Sequence, residues 1–197
     1  MKKRKNIGEI MHYKKVISFV LLPYLLFSHK FVYGTISIQD IDTAKEIGTR
    51  ISAVPAGNRT KIDCLVDNII NDHSIRKHYG GRSYFNTEDR DQIKEISRFI
   101  INNATDYKVY PVVDRFNRDR RRLALKVNFN SQDSNNIINS NWIGTSSPSD
   151  SINPNKNTNW AVICFDITGI DNINDIPPKG ATITAYPAEQ LSQENQF

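Results

Sequence analysis

A chain of 197 residues with 26 Lys+Arg against 21 Asp+Glu has a formal net charge of +5, yet seven of the basic residues and only one of the acidic ones precede Thr35. The remaining 163 residues hold 19 basic and 20 acidic side chains, net −1, so overall charge gives no argument for nucleic-acid binding. That length suits one domain around a single core, and the two cysteines come without CxxC, Cys/His metal spacing or HExxH, so no zinc-site signature is present.

The opening segment reads as an export signal. Lys2, Lys3, Arg4, Lys5, Lys14 and Lys15 precede an uncharged run from Val16 to Phe27, the order of a signal peptide. Its 12 residues fall short of the about 20 that a membrane-spanning helix needs, and Pro23 and Lys30 weaken a spanning reading further. Val32-Tyr33-Gly34 predicts cleavage before Thr35, Leu26-Phe27-Ser28 offers a second site, and Met11 begins a shorter signal of its own. The alternative is an uncleaved anchor. Cleavage would deliver residues 35–197 to a secreted or periplasmic location. There an oxidising compartment would permit a Cys64–Cys164 bridge closing a loop of about 100 residues, a cross-link of several kcal/mol. Cys164 lies in the apolar run Trp160–Phe165, which reads equally as the setting of a buried free thiol.

Three helices come next. Ile38, Ile41, Ala44, Ile47 and Ile51 recur at three- and four-residue spacing, and Pro55-Ala56-Gly57-Asn58 breaks the pattern. Lys61 to His73 resumes it with Ile62, Leu65, Val66, Ile69 and Ile70 on one face. His78 to Ser83 is a turn. Asn86-Thr87-Glu88-Asp89 then supplies a polar cap and early acids for a helix reaching Asn103, with Ile93, Ile96, Phe99 and Ile100 as its apolar face.

Past Asn103 the period changes. Tyr107–Val113 reads either as a strand weakened by Pro111 or as a bent extension of the helix. Arg122–Phe129 alternates cleanly and predicts a strand, with the charged stretch Asp114–Arg121 as the loop before it. Within that stretch and its edge, Arg115, Arg118, Arg120, Arg121 and Arg122 would either hold phosphates by forked hydrogen bonds or stand as a solvated hairpin tip. The Asn- and Ser-rich segment from Asn130 to Asn159 predicts a long loop with one short strand. Trp160–Ile167 predicts a buried strand, and Ala181–Tyr186 a last strand ended by Pro187, with a polar, frayed tail from Ala188. Helices followed by strands make the chain α+β, with an antiparallel sheet.

Candidate chemistry concentrates in two places. Asp72 to Gly80 carries His73 and His78 at a predicted helix end, and histidine serves as general acid or base near neutral pH. Alternatively, the pair marks only a helix end whose carbonyls favour cations. In the last strand Thr182, Thr184 and Tyr186 alternate with Ile183 and Ala185, so the three hydroxyls are expected on one face. Such a face would ordinarily meet solvent. Joined to a histidine, it would supply fixed donors for charge developing on phosphoryl oxygens.

These segments together resemble the bacterial RNase A-like toxin domain found at the C-termini of contact-dependent inhibition effectors. His73-Ser-Ile-Arg-Lys-His78-Tyr-Gly80 is similar to that domain's opening of a histidine, four residues and His-Val-Gly, with Tyr79 where the family has Val. Ser83-Tyr84-Phe85-Asn86 before a helix ending at Asn103, Leu123–Phe129, Trp142-Ile143-Gly144, Val162–Phe165 and the ending Thr184-Ala185-Tyr186-Pro187 follow in the family's order. The likeness spans residues 72–187 and leaves the helical segment 35–71 outside it. The Thr-x-Tyr ending also recurs in EndoU-type and other toxin nucleases of the barnase-like superfamily. The resemblance implies a metal-free endoribonuclease with no cofactor, working as a monomer on RNA, with a cognate immunity or inhibitor protein as a further partner. Carried over residue by residue, it assigns His78, Thr184 and Tyr186 to the site, with His73 or Tyr186 as partner to His78. The family's arginine falls where this chain has a shortened Gly80-Gly81-Arg82-Ser83, so Arg82 is its candidate and Arg90 the fallback. An exported binding module without activity is the alternative. An ADP-ribosyltransferase toxin ranks below both, because no paired Glu-x-Glu stands late in the chain.

Overall fold

A computed structural model of the chain describes residues 36–75, 81–114, 116–174 and 181–191; residues 1–35, which include the expected export signal, His78 with Tyr79 and Gly80, Arg115 and residues 192–197 lie outside these. Helix α1 (Ile41–Ala53) starts three residues later than its apolar spacing predicts, because Asp40 caps it by accepting from Thr43 N at 2.7 Å. A short hairpin, β1 (Pro55–Ala56) and β2 (Arg59–Thr60), turns the chain at Gly57, whose φ is +66°. Helix α2 (Lys61–Asp72) follows, and α3 (Arg90–Asn103) starts behind Asp89, whose carboxylate accepts from the amides of Asp91 and Gln92 at 2.9 Å. Lys94 on α3 reaches Asp63 on α2 at 2.5 Å.

The main sheet is antiparallel, in the order β4 (Asp106–Val113), β5 (Asp119–Asn128), β8 (Trp160–Asp166), β9 (Ala181–Pro187). Pro111 is tolerated because β4 is an edge strand, where a missing N–H leaves no ladder bond unmade. One sheet face, through Leu123, Leu125, Val127, Ala161, Ile163, Phe165 and Ala185, shares a single core with Ile47 and Ile51 of α1, Leu65 and Ile69 of α2, and Ile96 and Ile100 of α3. Segment 36–71 thus joins the core of the sheet. A second small sheet, β3 (Tyr84–Phe85), β6 (Gly144–Thr145) and β7 (Asn157–Thr158), stands beside it. The architecture is α+β with antiparallel sheets. Among the described residues no helix is long and apolar enough to cross a membrane.

Several expectations are corrected. The segment after Asn130 contains helix α4 (Ser131–Ile138), not a continuous loop. Asn130 accepts from Asp133 N at 2.8 Å while Asp133 accepts from Asn130 N at 3.2 Å, and Ile137 and Ile138 bury the inner face. β5 begins at Asp119, so Arg120 and Arg121 belong to a strand; the loop is short because Asp114 Oδ1 accepts from both Phe116 N and Arg118 N. The tail from Ala188 is tied down as far as Leu191: Ala188 is fully buried with its N–H on Trp160 O, and Glu189 N donates to Asp150. Of the two readings left open for the cysteines, the structure has both free, with Cys164 buried. Cys164 packs on the sheet face turned away from the helices, whereas Cys64 belongs to α2 on the other side.

Candidate active site

The face of the sheet opposite the helices carries the reactive groups. Register puts Thr184 of β9 opposite Cys164 of β8, itself opposite Ala124 of β5, and puts Tyr186 opposite Val162. Paired residues share a face, so Thr184, Tyr186, Cys164 and Ala124 lie together. Beyond Thr184 the register shifts: Phe165 pairs with Thr182 directly after Cys164 pairs with Thr184. Of the expected row of three hydroxyls, Thr184 and Tyr186 share this face, and the side chain of Thr182 lies outside the described ones.

Tyr186 is 6% exposed, and its hydroxyl lies 3.8 Å from Cys164 Sγ, which is 3.7 Å from the hydroxyl of Tyr110 on β4. Burial pushes the Tyr186 phenol well above its ordinary value, and the neighbouring thiol and phenol push the same way. Burial raises Tyr110 also, against an opposing hydrogen bond from Arg122. Both phenols therefore stay protonated near neutral pH. They are donors.

His73 comes to this face from the end of α2. Its N–H closes the helix on Ile69 O at 2.7 Å, and its carbonyl accepts from Phe85 N at 2.8 Å. Ser74 bridges Phe85, so β3 holds the backbone just after the ring while the helix end holds it before. The imidazole is buried, tilted against Tyr186 at 5.7 Å between ring centroids, and its Nδ1 lies 2.9 Å from Ser83 O. A carbonyl only accepts, so this partner assigns the proton to Nδ1 and leaves the Nε2 lone pair as the basic site. Burial holds the histidine below its usual range, against the Ser83 carbonyl and Asp72, which favour the cation; Arg82 favours the neutral form. The ring is thus a neutral, oriented base near pH 7.

Arg82 is exposed and stands 3.6 Å from Asp72, a surface pair that leaves the guanidinium free to turn. Arg90 instead pairs with Asp67, which also holds Arg59. A third arginine, one of the five that the sequence offers as phosphate ligands, enters from the sheet: Arg122 pairs in register with Tyr110 and Asp166, next along β5 from the Cys164–Thr184 row. The strict alternation of β5 is the signal that singles it out from its neighbours. His78 lies outside the described residues. The sequence-predicted residues brought together are therefore His73 and Tyr186 by contact, Thr184 by register, and Arg82 by its influence on His73. Among the described residues no group of three His, Cys, Asp or Glu side chains could hold a metal ion.

A neutral base, protonated phenols, a hydroxyl and guanidinium groups together suit proton transfer beside a phosphate. No family model, no curated protein and no solved structure matches the chain.

Proposed function

We propose that the chain is an exported ribonuclease toxin of the RNase A-like kind, cleaving RNA without a metal. The observation that carries this reading is the packing of His73, locked by the Ser83 carbonyl with Nε2 basic, against Tyr186 of the last strand. His73 Nε2 takes the proton of a ribose 2′-hydroxyl. That oxygen attacks the adjacent phosphorus, the bond to the 5′-oxygen breaks, and the leaving oxygen takes a proton from a second acid, leaving a 2′,3′-cyclic phosphate. His78, five residues on from His73 in the sequence, is assigned that acid role. Tyr186 and Thr184 donate to phosphoryl oxygens, and Arg82 and Arg122 neutralise the charge that gathers there. DNA lacks the 2′-hydroxyl and resists.

Incubating the purified protein with total RNA in EDTA tests the reading: fragments with cyclic phosphate ends are expected, and DNA should remain intact. A folded protein that cuts no RNA, or one that EDTA stops, fails it and leaves the exported binding module. The export part has its own check. Secreted material should begin near Thr35 or His29 by mass spectrometry, and a full-length cytosolic product would refute it.

A further inference from the structure

We propose that the β4–β5 hairpin is a binding arm for single-stranded RNA, with Arg118, Arg120 and Arg122 on successive phosphates and Phe116 stacked on an unpaired base. The inference rests on the nuclease reading for the direction of the strand, though the hairpin's own chemistry points to the same ligand.

Phe116 at the tip is 63% exposed and Val113 beside it 57%. Large apolar side chains this exposed at the end of a hairpin recover little of the free energy that burial would give. The turn that presents them is nevertheless well made: Asp114 Oδ1 accepts from the amides of Phe116 and Arg118, Asn117 N closes on Asp114 O at 2.9 Å, and Asn117 adopts the left-handed conformation at φ 56°. An ordered turn therefore holds the aromatic ring at the surface, and Arg118 lies 4.9 Å above its centre.

Below the tip, Arg118, Arg120 and Arg122 occupy alternate positions and so point to one side. Arg118 and Arg120 confirm it by reaching the same Asp114 oxygen, at 2.8 and 3.1 Å. That side is the face of Thr184 and Tyr186, because Arg122 and Ala124 are successive outward positions of β5 and Ala124 shares a row with Cys164 and Thr184. From that row to Arg118 is six residues of chain, about 20 Å at roughly 3.3 Å per residue. Among the described residues of this face, Lys108, Arg118, Arg120, Arg122 and Lys126 outnumber Asp106, Asp114 and Asp166. A positive track ending in an exposed ring fits a flexible polyanion whose bases are free to stack. That is single-stranded nucleic acid; a duplex hides its bases.

The test uses the purified chain with two surface substitutions, Phe116→Ala and Arg118→Ala, and a Phe116→Trp control. Cleavage is measured on a dinucleotide, which reaches only the His73–Tyr186 site, and on a single-stranded dodecanucleotide, while anisotropy follows a DNA dodecamer that cannot be cut. Phe116→Ala should lower kcat/KM on the longer RNA and affinity for the DNA by about tenfold, the loss expected of one stacked base, with cleavage of the dinucleotide unchanged and Phe116→Trp restoring both. Arg118→Ala should flatten the logarithmic salt dependence of DNA binding by about 0.7. Unchanged oligonucleotide cleavage and binding in both variants overturns the proposal. A wild-type protein that cuts neither RNA defeats the nuclease reading alone, and the anisotropy still decides the arm: DNA binding lost with Phe116 supports it, and no binding by the wild type refutes it.

Discussion

Gly144→Ala tests whether the small sheet holds the site together. An added Cβ at Gly144 would stand 2.3 Å from Pro187 Cγ and 2.5 Å from the Tyr84 carbonyl oxygen. Neither neighbour is the loose end of a flexible side chain: one is the ring that closes β9, the other is backbone of β3. The strands must separate, and overpacking of this kind costs about 1–3 kcal/mol. For a domain of this size each kcal/mol moves Tm by about 2–4 °C, so a fall of about 2–12 °C is expected by thermal unfolding. The effect should extend beyond stability. Gly144 pairs with Phe85, whose N–H holds the His73 carbonyl, and Ser83 just before β3 orients the His73 ring. RNA cleavage measured well below the variant's Tm should therefore drop more than its folded fraction. A variant with unchanged Tm and unchanged cleavage would refute the packing argument and the clamp together.

The remaining predictions address the site directly. The acid limb of the pH–rate profile should lie below pH 6.5, the ordinary histidine value, because burial lowers His73; stability should fall over the same window, since the unfolded chain takes up its proton first as pH drops below 6.5. An acid limb above pH 6.5 would remove His73 as the base. Tyr186→Phe deletes a hydroxyl whose nearest described partner is a sulfur at 3.8 Å, so it should cost under about 1 kcal/mol of stability and lower kcat/KM about tenfold. That loss is smaller than the hundredfold or more expected for His73→Ala, and equal losses would place Tyr186 in proton transfer. Ser83→Ala keeps the carbonyl that orients His73 and removes a buried hydroxyl with no hydrogen-bond partner among the described residues, so Tm should hold or rise with cleavage intact; a collapse of activity would mean the hydroxyl itself acts.

The helices and central strands were legible because burial writes a period into the chain. Ile47 and Ile51, Leu65 and Ile69, and Ile96 and Ile100 meet one sheet face at helical spacing, and Leu123, Leu125 and Val127 meet them at strand spacing. What escaped was set by single polar atoms. Asn130 and Asp133 build a helix from residues that individually disfavour one, so Asn-rich composition hid α4. Asp114 tightens a turn onto its own loop and lets β5 start at Asp119. Asp150 accepts from Ile152 N, Asn153 N and Glu189 N, anchoring a tail whose polar sequence reads as frayed.

The site divides along the same line. Alternation alone placed Thr184 and Tyr186 on one face, whereas the register shift just beyond Thr184 depends on the pairing against β8, which no local pattern records. The resemblance directs attention to His78, whereas the described geometry develops His73. A base needs a fixed ring with one nitrogen engaged and the other basic, and a backbone carbonyl gives His73 that arrangement. Every residue carries such a carbonyl, so its role leaves no trace in residue identity. The arginines follow the opposite rule, since a guanidinium is conspicuous wherever it stands and only its place in the fold decides what it can reach. Arg90 is committed to Asp67 between two helices, while Arg122 shares its strand face with Thr184 and Tyr186. Charge marks many cations alike along the chain, and the register of β5 sets Arg122 on the face of Thr184 and Tyr186.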